Sequence, residues 1–262
     1  MNKRILDLIC CPNCKNPLKF YDQTDGKSIN DGELYCEKCK RLYPVENGIP
    51  HFVSEDEVFH FSKRAEIVRS VYLAIYTPAT NFMFLPCGGV KKARHEVLDR
   101  LEIPENPKIL ETGIGTGDNL PFLKEHLDGG HFFGIDNQMI MLNTCTRNLK
   151  KWNIKADLFL SNAEDLPFRD NTFDVVFHLG AINIFKNKKS AIDEMIRVAK
   201  PGTKIVIADE SDKANKYYSI FLGKQEKVVP PVDLIPSNML DTRVDIIWRG
   251  FGYAIDFRTP RK

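Results

Sequence analysis

The stretch ETGIGTGDNL, residues 111–120, constrains this 262-residue chain more tightly than any other. An apolar KIL leads into it, glycines stand at 113, 115 and 117, and Asp118 follows. A strand ending at Glu111-Thr112 and a helix beginning near Asp118 must be joined by a backbone that turns sharply. With no Cβ in the way, such a backbone can also approach a ligand. A plain strand-to-helix turn usually needs one glycine. The spacing departs from the dinucleotide fingerprint GxGxxG, whose third glycine falls where Asp118 stands. A carboxylate at a helix N-terminus opposes a pyrophosphate. A cationic or zwitterionic ligand fits better. S-adenosylmethionine carries a sulfonium and an α-ammonium and no phosphate, and Glu111 at the strand end suits its amino group. Asp136 ends the apolar run HFFGID, 23 residues after Gly113. An acid there can accept both ribose hydroxyls, although dinucleotide enzymes use the same device.

Around this loop the chain alternates. PKILET, HFFGID, IKADLFLSN, TFDVVFHL and TKIVIADE read as strands. GDNLPFLKEHL, NQMIMLNTCTRNLKKW and KKSAIDEMIRVAK read as helices between them. Such alternation predicts an α/β fold: a doubly wound, mostly parallel sheet with helices on both faces. In DTRVDIIWRGFGYAIDFRTP two β-rich runs meet at RGFG, which predicts a terminal antiparallel hairpin and brings the sheet to seven strands. Residues 54–106 read as a helical cap. SEDEVFHFSKRAEIVRSVYLAIY opens with Ser54 and Glu57 in capping-box spacing, and GGVKKARHEVLDRLEI is a second amphipathic helix. The apolar segment SVYLAIYTPATNFMFLPCGG is a candidate lid, with Tyr72 or Tyr76 reaching the site, or else ordinary core. Cys87 is a candidate reactive thiol or an inert one.

The first 53 residues differ in kind. Cys11-Pro-Asn-Cys14 and Cys36-Glu-Lys-Cys39 form two CxxC knuckles separated by 21 residues. Two such turns brought together supply four thiolates in a tetrahedron, which suits Zn²⁺. So small a unit buries little apolar surface and draws stability from a metal. The alternatives are four unrelated buried cysteines or a redox dithiol, for which one knuckle suffices. A closed Cys₄ site has no open coordination position, so this zinc is expected to be structural. Cys10, with an apolar flank, is expected to be buried rather than ligating. With seven cysteines, no secretion signal and no apolar run long enough to span a bilayer, the chain is expected in the cytoplasm, its thiols reduced or metal-bound.

ILDLICCPNCKNPL followed by GELYCEKCKRLYPVENGIPHF resembles the small zinc-ribbon family that activates tRNA and protein methyltransferases in trans. The YPVENGIP turn is the distinctive part. From about residue 107 to 210, the order ExGxGxG, GID, NAEDLPFRDNTFDVV and EMIRVAKPG resembles the class I S-adenosylmethionine-dependent methyltransferases. The group that includes the ubiquinone/menaquinone-biosynthesis methyltransferases is the nearest. The resemblance implies a Rossmann-like methyltransferase domain over residues 107–262. It also implies that Glu111, Gly113, Gly115 and Gly117 line the methionine part of the cofactor and Asp136 its ribose, with Asn162 and Ala163 flanking the adenine. Asn162 stands where that family often has Asp; an amide still exchanges hydrogen bonds with adenine.

Methyl transfer is an in-line displacement, so the protein chiefly positions and desolvates the nucleophile. A base is needed only where the nucleophile must lose a proton. His178, in the FHLGAINIF run after the fourth strand, is the candidate base or substrate contact, or else a histidine packed at a strand end. Asn183 is a candidate substrate contact or a turn residue. No Asn/Asp-Pro-Pro-aromatic segment follows this strand, which argues against amino-group methylation by that common design. The leading expectation is a methyltransferase acting on a small, apolar molecule. Its rival is an RNA methyltransferase that uses the ribbon for substrate. Net charge is +2, and residues 1–53 hold 8 Lys+Arg against 7 Asp+Glu, a difference of +1. A surface that tracks phosphates should be clearly basic. A non-catalytic partner and a nicotinamide oxidoreductase are the remaining readings, the latter opposed by Asp118.

Overall fold

The computed structural model describes residues 3–21, 29–53, 84–125, 127, 129–222 and 227–261. The expected helix beginning at Ser54, with its capping box, and the lid candidates Tyr72 and Tyr76 lie outside the described residues. Four short strands come first: β1 Lys19–Tyr21, β2 Gly32–Tyr35, β3 Leu42–Glu46 and β4 Ile49–Pro50, an antiparallel meander in that order. Helix α1, Val90–Leu98, then leads into the large sheet. That sheet is built from β5 Lys108–Thr112, β6 His131–Asp136, β7 Ala156–Leu160, β8 Val175–Leu179, β9 Lys204–Glu210, β10 Leu240–Ile247 and β11 Gly252–Arg258. Between these strands run α2 Leu120–Lys124, α3 Met139–Trp152, α4 Lys188–Val198 and α5 Asp212–Leu222.

The order across the sheet is β10-β11-β9-β8-β5-β6-β7. Strands β5 to β9 pair in parallel; β11 pairs antiparallel with β9 and with β10. The expected hairpin turns through Trp248–Gly250, where Arg249 and Gly250 take the left-handed conformation (φ 55° and 92°). The parallel strands are apolar on both faces because helices or the ribbon cover both. Leu110, Phe133, Val176 and Ile205 enter one core, and their chain neighbours Ile109, Phe132, Val175 and Val206 enter the other. Strand order reverses between β5 and β8, which opens a crevice outside the carboxyl ends of these strands.

Three expected helices form with altered ends. α2 starts at Leu120 rather than near Asp118, since the side chains of Asp118 and Asn119 are engaged with Thr116 and Glu111. α3 stops at Asn153, which adopts φ 52° and caps it. α4 is capped by Asn187, whose Oδ1 accepts from Ser190 N at 3.0 Å. No helix among the described residues is long and apolar enough to cross a membrane.

The four-stranded ribbon is packed onto the sheet. Ile5, Ile9, Leu34, Tyr43 and Phe52 share one buried cluster with Phe133, Phe159, Phe168 and Phe173. Those last four rings meet at centroid distances of 4.9–6.5 Å, mostly edge to face. β7 is the outer strand on its side, and the ribbon closes it: His51 bridges Leu160 in parallel, and Phe52 N donates to Leu160 O at 2.7 Å.

Candidate cofactor site and metal centre

The four knuckle sulfurs, of Cys11, Cys14, Cys36 and Cys39, lie within 4.8 Å of one another. Cys11–Cys39 measures 3.5 Å, Cys14–Cys36 3.4 Å and Cys14–Cys39 3.8 Å. A tetrahedron with ~2.3 Å zinc–sulfur bonds has edges of ~3.8 Å, so the donor set fits zinc. The knuckles are built alike. Lys15 N donates to Cys11 O and Lys40 N to Cys36 O, at 2.7 and 2.9 Å, with both lysines left-handed (φ 56° and 60°). The Tyr43 hydroxyl, 3.1 Å from Cys11 Sγ, is placed to donate to its thiolate. Cys10 stays out of the cluster: its buried thiol donates to Phe168 O at 3.1 Å, and burial pushes its pKa up to about 11.

The metal centre reaches the sheet through Lys15. Its Nζ lies 2.8 Å from Glu194 Oε2 and donates to Leu166 O at 3.3 Å. Arg197 clasps Glu194 at 2.6 Å and donates to the carbonyls of Phe168 and Leu166. Cys10 N donates to Pro167 O, and Arg169 N to Leu8 O, both at 2.9 Å. The ribbon therefore brackets the segment after β7 from Leu160 to Arg169. That segment carries Asn162 and Ala163.

At the carboxyl ends of the strands the other candidates come together. Gly113, Gly115 and Gly117 all have positive φ (71°, 55° and 78°) and carry the chain from β5 over toward α2. Asp136, at the end of β6, accepts from Gly115 N at 3.0 Å and from Gln138 N at 2.9 Å, so it pins the loop. Burial pushes its carboxyl up to about 6 against those donors. Asn162 is half-buried past the end of β7, its Oδ1 accepting from Asn137 Nδ2 at 3.3 Å. Ala163 is buried beside it.

Beneath the loop, Glu111 is 1% exposed. Its Oε1 accepts from Asn119 Nδ2 at 2.5 Å, and its Oε2 has no partner. Burial pushes this carboxyl up to about 8, although the Asn119 bond and the charge of Arg94 oppose the rise. An orphaned, buried carboxylate oxygen beside an open glycine turn is a fitting place for a ligand cation. Arg94 escaped the sequence reading. The signal was there: it shares the buried stripe of α1 with Ala93, Val97 and Leu98, an unusual place for a charge. Its Nη2 lies 3.7 Å from Asp118 Oδ2, which also accepts from Thr116 Oγ1 at 2.9 Å. Asp118 is therefore partly neutralised, and as a deterrent to phosphate it is weaker than the bare sequence implied.

On the far side of the switch point, His178 is fully buried. Its Nδ1 donates to Thr112 O at 2.6 Å and its Nε2 has no partner; burial lowers its pKa to about 4. Asn183 is used by the fold. Its side chain donates to Glu210 O and accepts from Tyr253 Oη, while its N donates to Asp209 Oδ2. Glu210, at the end of β9, also escaped the sequence reading; burial and then the charge of Asp209 push it up to about 7. Cys87 is buried with a raised pKa, as an inert thiol is.

The glycines separate two demands. A Cβ on Gly117 would stand 2.7 Å from Cys145 Sγ, whereas one on Gly115 meets nothing within 4 Å. Gly117→Ala combines overpacking with a left-handed penalty, about 2–4 kcal/mol together, and should melt roughly 5–15 °C lower. Gly115→Ala carries the left-handed penalty alone, about 1–2 kcal/mol, and should melt only roughly 2–8 °C lower, yet bind cofactor about tenfold more weakly because its methyl fills the open turn. Thermal melts and calorimetry on both variants check the contrast.

Residues 109–202 match the model of a methyltransferase domain, and residues 2–48 that of the Trm112p-like proteins. The ubiquinone/menaquinone biosynthesis C-methyltransferase UbiE of Vibrio campbellii is 30% identical over 189 residues, spanning 68% of this chain and 71% of that protein. The protein of the same description from Burkholderia mallei is 33% identical over 173 residues, spanning 64% and 71%. A solved complex between the Haloferax volcanii Trm112 methyltransferase activator and a putative methyltransferase shares the fold at 18% identity and TM-score 0.53. The match covers 64% of this chain and 89% of that one.

Proposed function

The chain belongs to the S-adenosylmethionine-dependent methyltransferases that include the ubiquinone/menaquinone C-methyltransferases, with a Trm112-like zinc-binding module at its N-terminus, and we propose that it methylates a small, largely apolar molecule. When bound, S-adenosylmethionine supplies an electrophilic methyl on a sulfonium whose leaving group is neutral. The protein's part is placement and exclusion of water.

In this reading Glu111 Oε2 takes the ammonium of the cofactor. The glycine turn lets the backbone lie against the methionine, Asp136 accepts the ribose hydroxyls, and Asn162 and Ala163 flank the adenine. Residues 107–262 carry the site as the methyltransferase domain, and the zinc ribbon is the domain before it. His178, held neutral by burial, keeps an acceptor lone pair on Nε2. A base so weak suits orienting an acceptor hydroxyl, or taking a proton from a group already acidic, better than deprotonating an alcohol. The single observation that carries the cofactor assignment is the buried, half-satisfied Glu111 under the open turn of Gly113–Gly117.

An apolar acceptor is supported by the ubiquinone and menaquinone biosynthesis for which the relatives are described and by Ile184, 81% exposed on the loop that follows β8. The near-neutral ribbon speaks against a phosphate-tracking role. The seven cysteines, none joined in a disulfide and four of them gathered as the zinc donor set, support a cytoplasmic setting. Incubation with labelled methyl donor and cell extract, split into RNA, protein and lipid-plus-small-molecule fractions, tests the reading. Label is expected in the last fraction, with an extent little changed between low and moderate salt. Label confined to RNA, falling steeply with salt, overturns it.

A further inference from the structure

Five buried side-chain atoms lack a hydrogen-bond partner among the described residues, and two of them flank the glycine loop: Glu111 Oε2 and Arg94 Nε. One is an acceptor on an acid, the other a donor on a base. Asn119 ties them together, its Nδ2 donating to Glu111 and its Oδ1 accepting from Arg94 Nη1. Arg94 is 8% exposed, with its guanidinium 5.9 Å from the centre of the Phe122 ring. A guanidinium offers five donors in a planar fork. Asn119 takes one, and Asp118, at 3.7 Å, stands beyond good hydrogen-bond reach. A buried charge left this incompletely matched is unfavourable unless something else completes it.

An acid short of a donor and a base short of an acceptor, held by one asparagine beside an open backbone turn, complement a ligand that carries an ammonium and a carboxylate on the same carbon. We propose that Arg94 binds the α-carboxylate of the cofactor's amino-acid end, and that with Glu111 it makes the glycine turn a reader of the zwitterion. The assignment rests on the cofactor site described above. It also accounts for the cost of placing a guanidinium on the apolar stripe of α1, where leucine would pack with less penalty. Asp118 then tempers Arg94 in the free protein and gives it up in part when a carboxylate arrives.

Three ligands separate this role from a structural one. S-adenosylhomocysteine carries both charges. Its decarboxylated analogue keeps only the ammonium. Methylthioadenosine keeps the nucleoside and the thioether and has neither. Calorimetry on the wild-type protein should show S-adenosylhomocysteine binding at least about tenfold more tightly than the decarboxylated analogue, as a charge-assisted pair implies. In Arg94→Gln that gap should close to within about threefold, while methylthioadenosine affinity stays close to wild type. Arg94→Lys, a point charge without the fork, should keep part of the gap. If Arg94→Gln weakens all three ligands in parallel, or leaves the gap intact, Arg94 only buttresses the loop and the assignment fails. If wild type binds methylthioadenosine but shows no preference for S-adenosylhomocysteine, the assignment fails while the cofactor site stands. No heat with any of the three would overturn the cofactor reading, and this assignment with it.

Discussion

Stripping the metal from the N-terminal knuckles is expected to disable the cofactor site as well as the ribbon. Zinc contributes about 10–16 kcal/mol to folding in small knuckle units, more than a ribbon of this size can replace by burial. The consequence spreads because the ribbon's core is continuous with that of the sheet. Ile9, Leu34 and Tyr43 are buried against the same phenylalanines that back β6 and β7. Lys15, inside the first knuckle, is tied to Glu194, and Leu8, Cys10 and Phe52 hydrogen-bond to Arg169, Pro167 and Leu160. When the knuckles open, β7 loses its edge partner and the segment carrying Asn162 and Ala163 loses its bracket. Hydrogen exchange on metal-loaded and chelated protein, or on Cys36→Ser, should show protection vanish over 29–53 and fall over 156–170. β5, β8 and β9 should exchange slowly in both states. Affinity for S-adenosylhomocysteine should drop at least about tenfold in the same samples. Unchanged protection over 156–170 would make the ribbon a passenger on the sheet.

What could be read in advance follows from how local each signal is. The parallel strands were legible as apolar runs because both of their faces are covered. The knuckles were legible because two thiols on one turn is a property of four consecutive residues. The same continuity of burial hid the placement of His178: in VVFHL every residue from Val175 to His178 is buried, so no alternation marks which face the imidazole joins. The docking of the ribbon was not legible either. It depends on two residues, His51 and Phe52, pairing with a strand more than a hundred positions away, and β4 before them is only two residues long. Asp118 misled in part, because its meaning depends on Arg94, which a different helix delivers. Charges are read poorly from sequence when their partners are tertiary. Glu111 was found by its place beside the glycines, but only its burial shows what it does to pH dependence.

That dependence has a definite sign. The Glu111 carboxyl is pushed up to about 8 by burial, and Asp136 to about 6. A cofactor that pairs its ammonium with Glu111 and its ribose with Asp136 prefers both in the ionised form. Affinity should therefore rise with pH, by up to about tenfold per unit while a carboxyl that must ionise remains protonated. The rise should level as the ligand's own α-ammonium begins to lose its proton near ~8. At pH 7 a carboxyl with a pKa of about 8 is ~90% protonated, so binding should release close to one proton. Calorimetry at pH 7 in buffers of different ionisation enthalpy measures that release directly. Glu111→Gln should abolish it and bind more weakly. The free protein shows the opposite face of the same shift. With its folded-state pKa above the unfolded value, Glu111 contributes stability that is fully present below about 4.3 and is lost as pH rises through about 8. Glu111→Gln should therefore melt above wild type at pH 8.5 and near it at pH 4.5, and excess S-adenosylhomocysteine should reverse the order at the higher pH. A variant that binds as well as wild type, or one that releases the same proton, would remove Glu111 from the site; a variant that melts lower at pH 8.5 would mean that its carboxylate is stabilised there by partners other than the ligand.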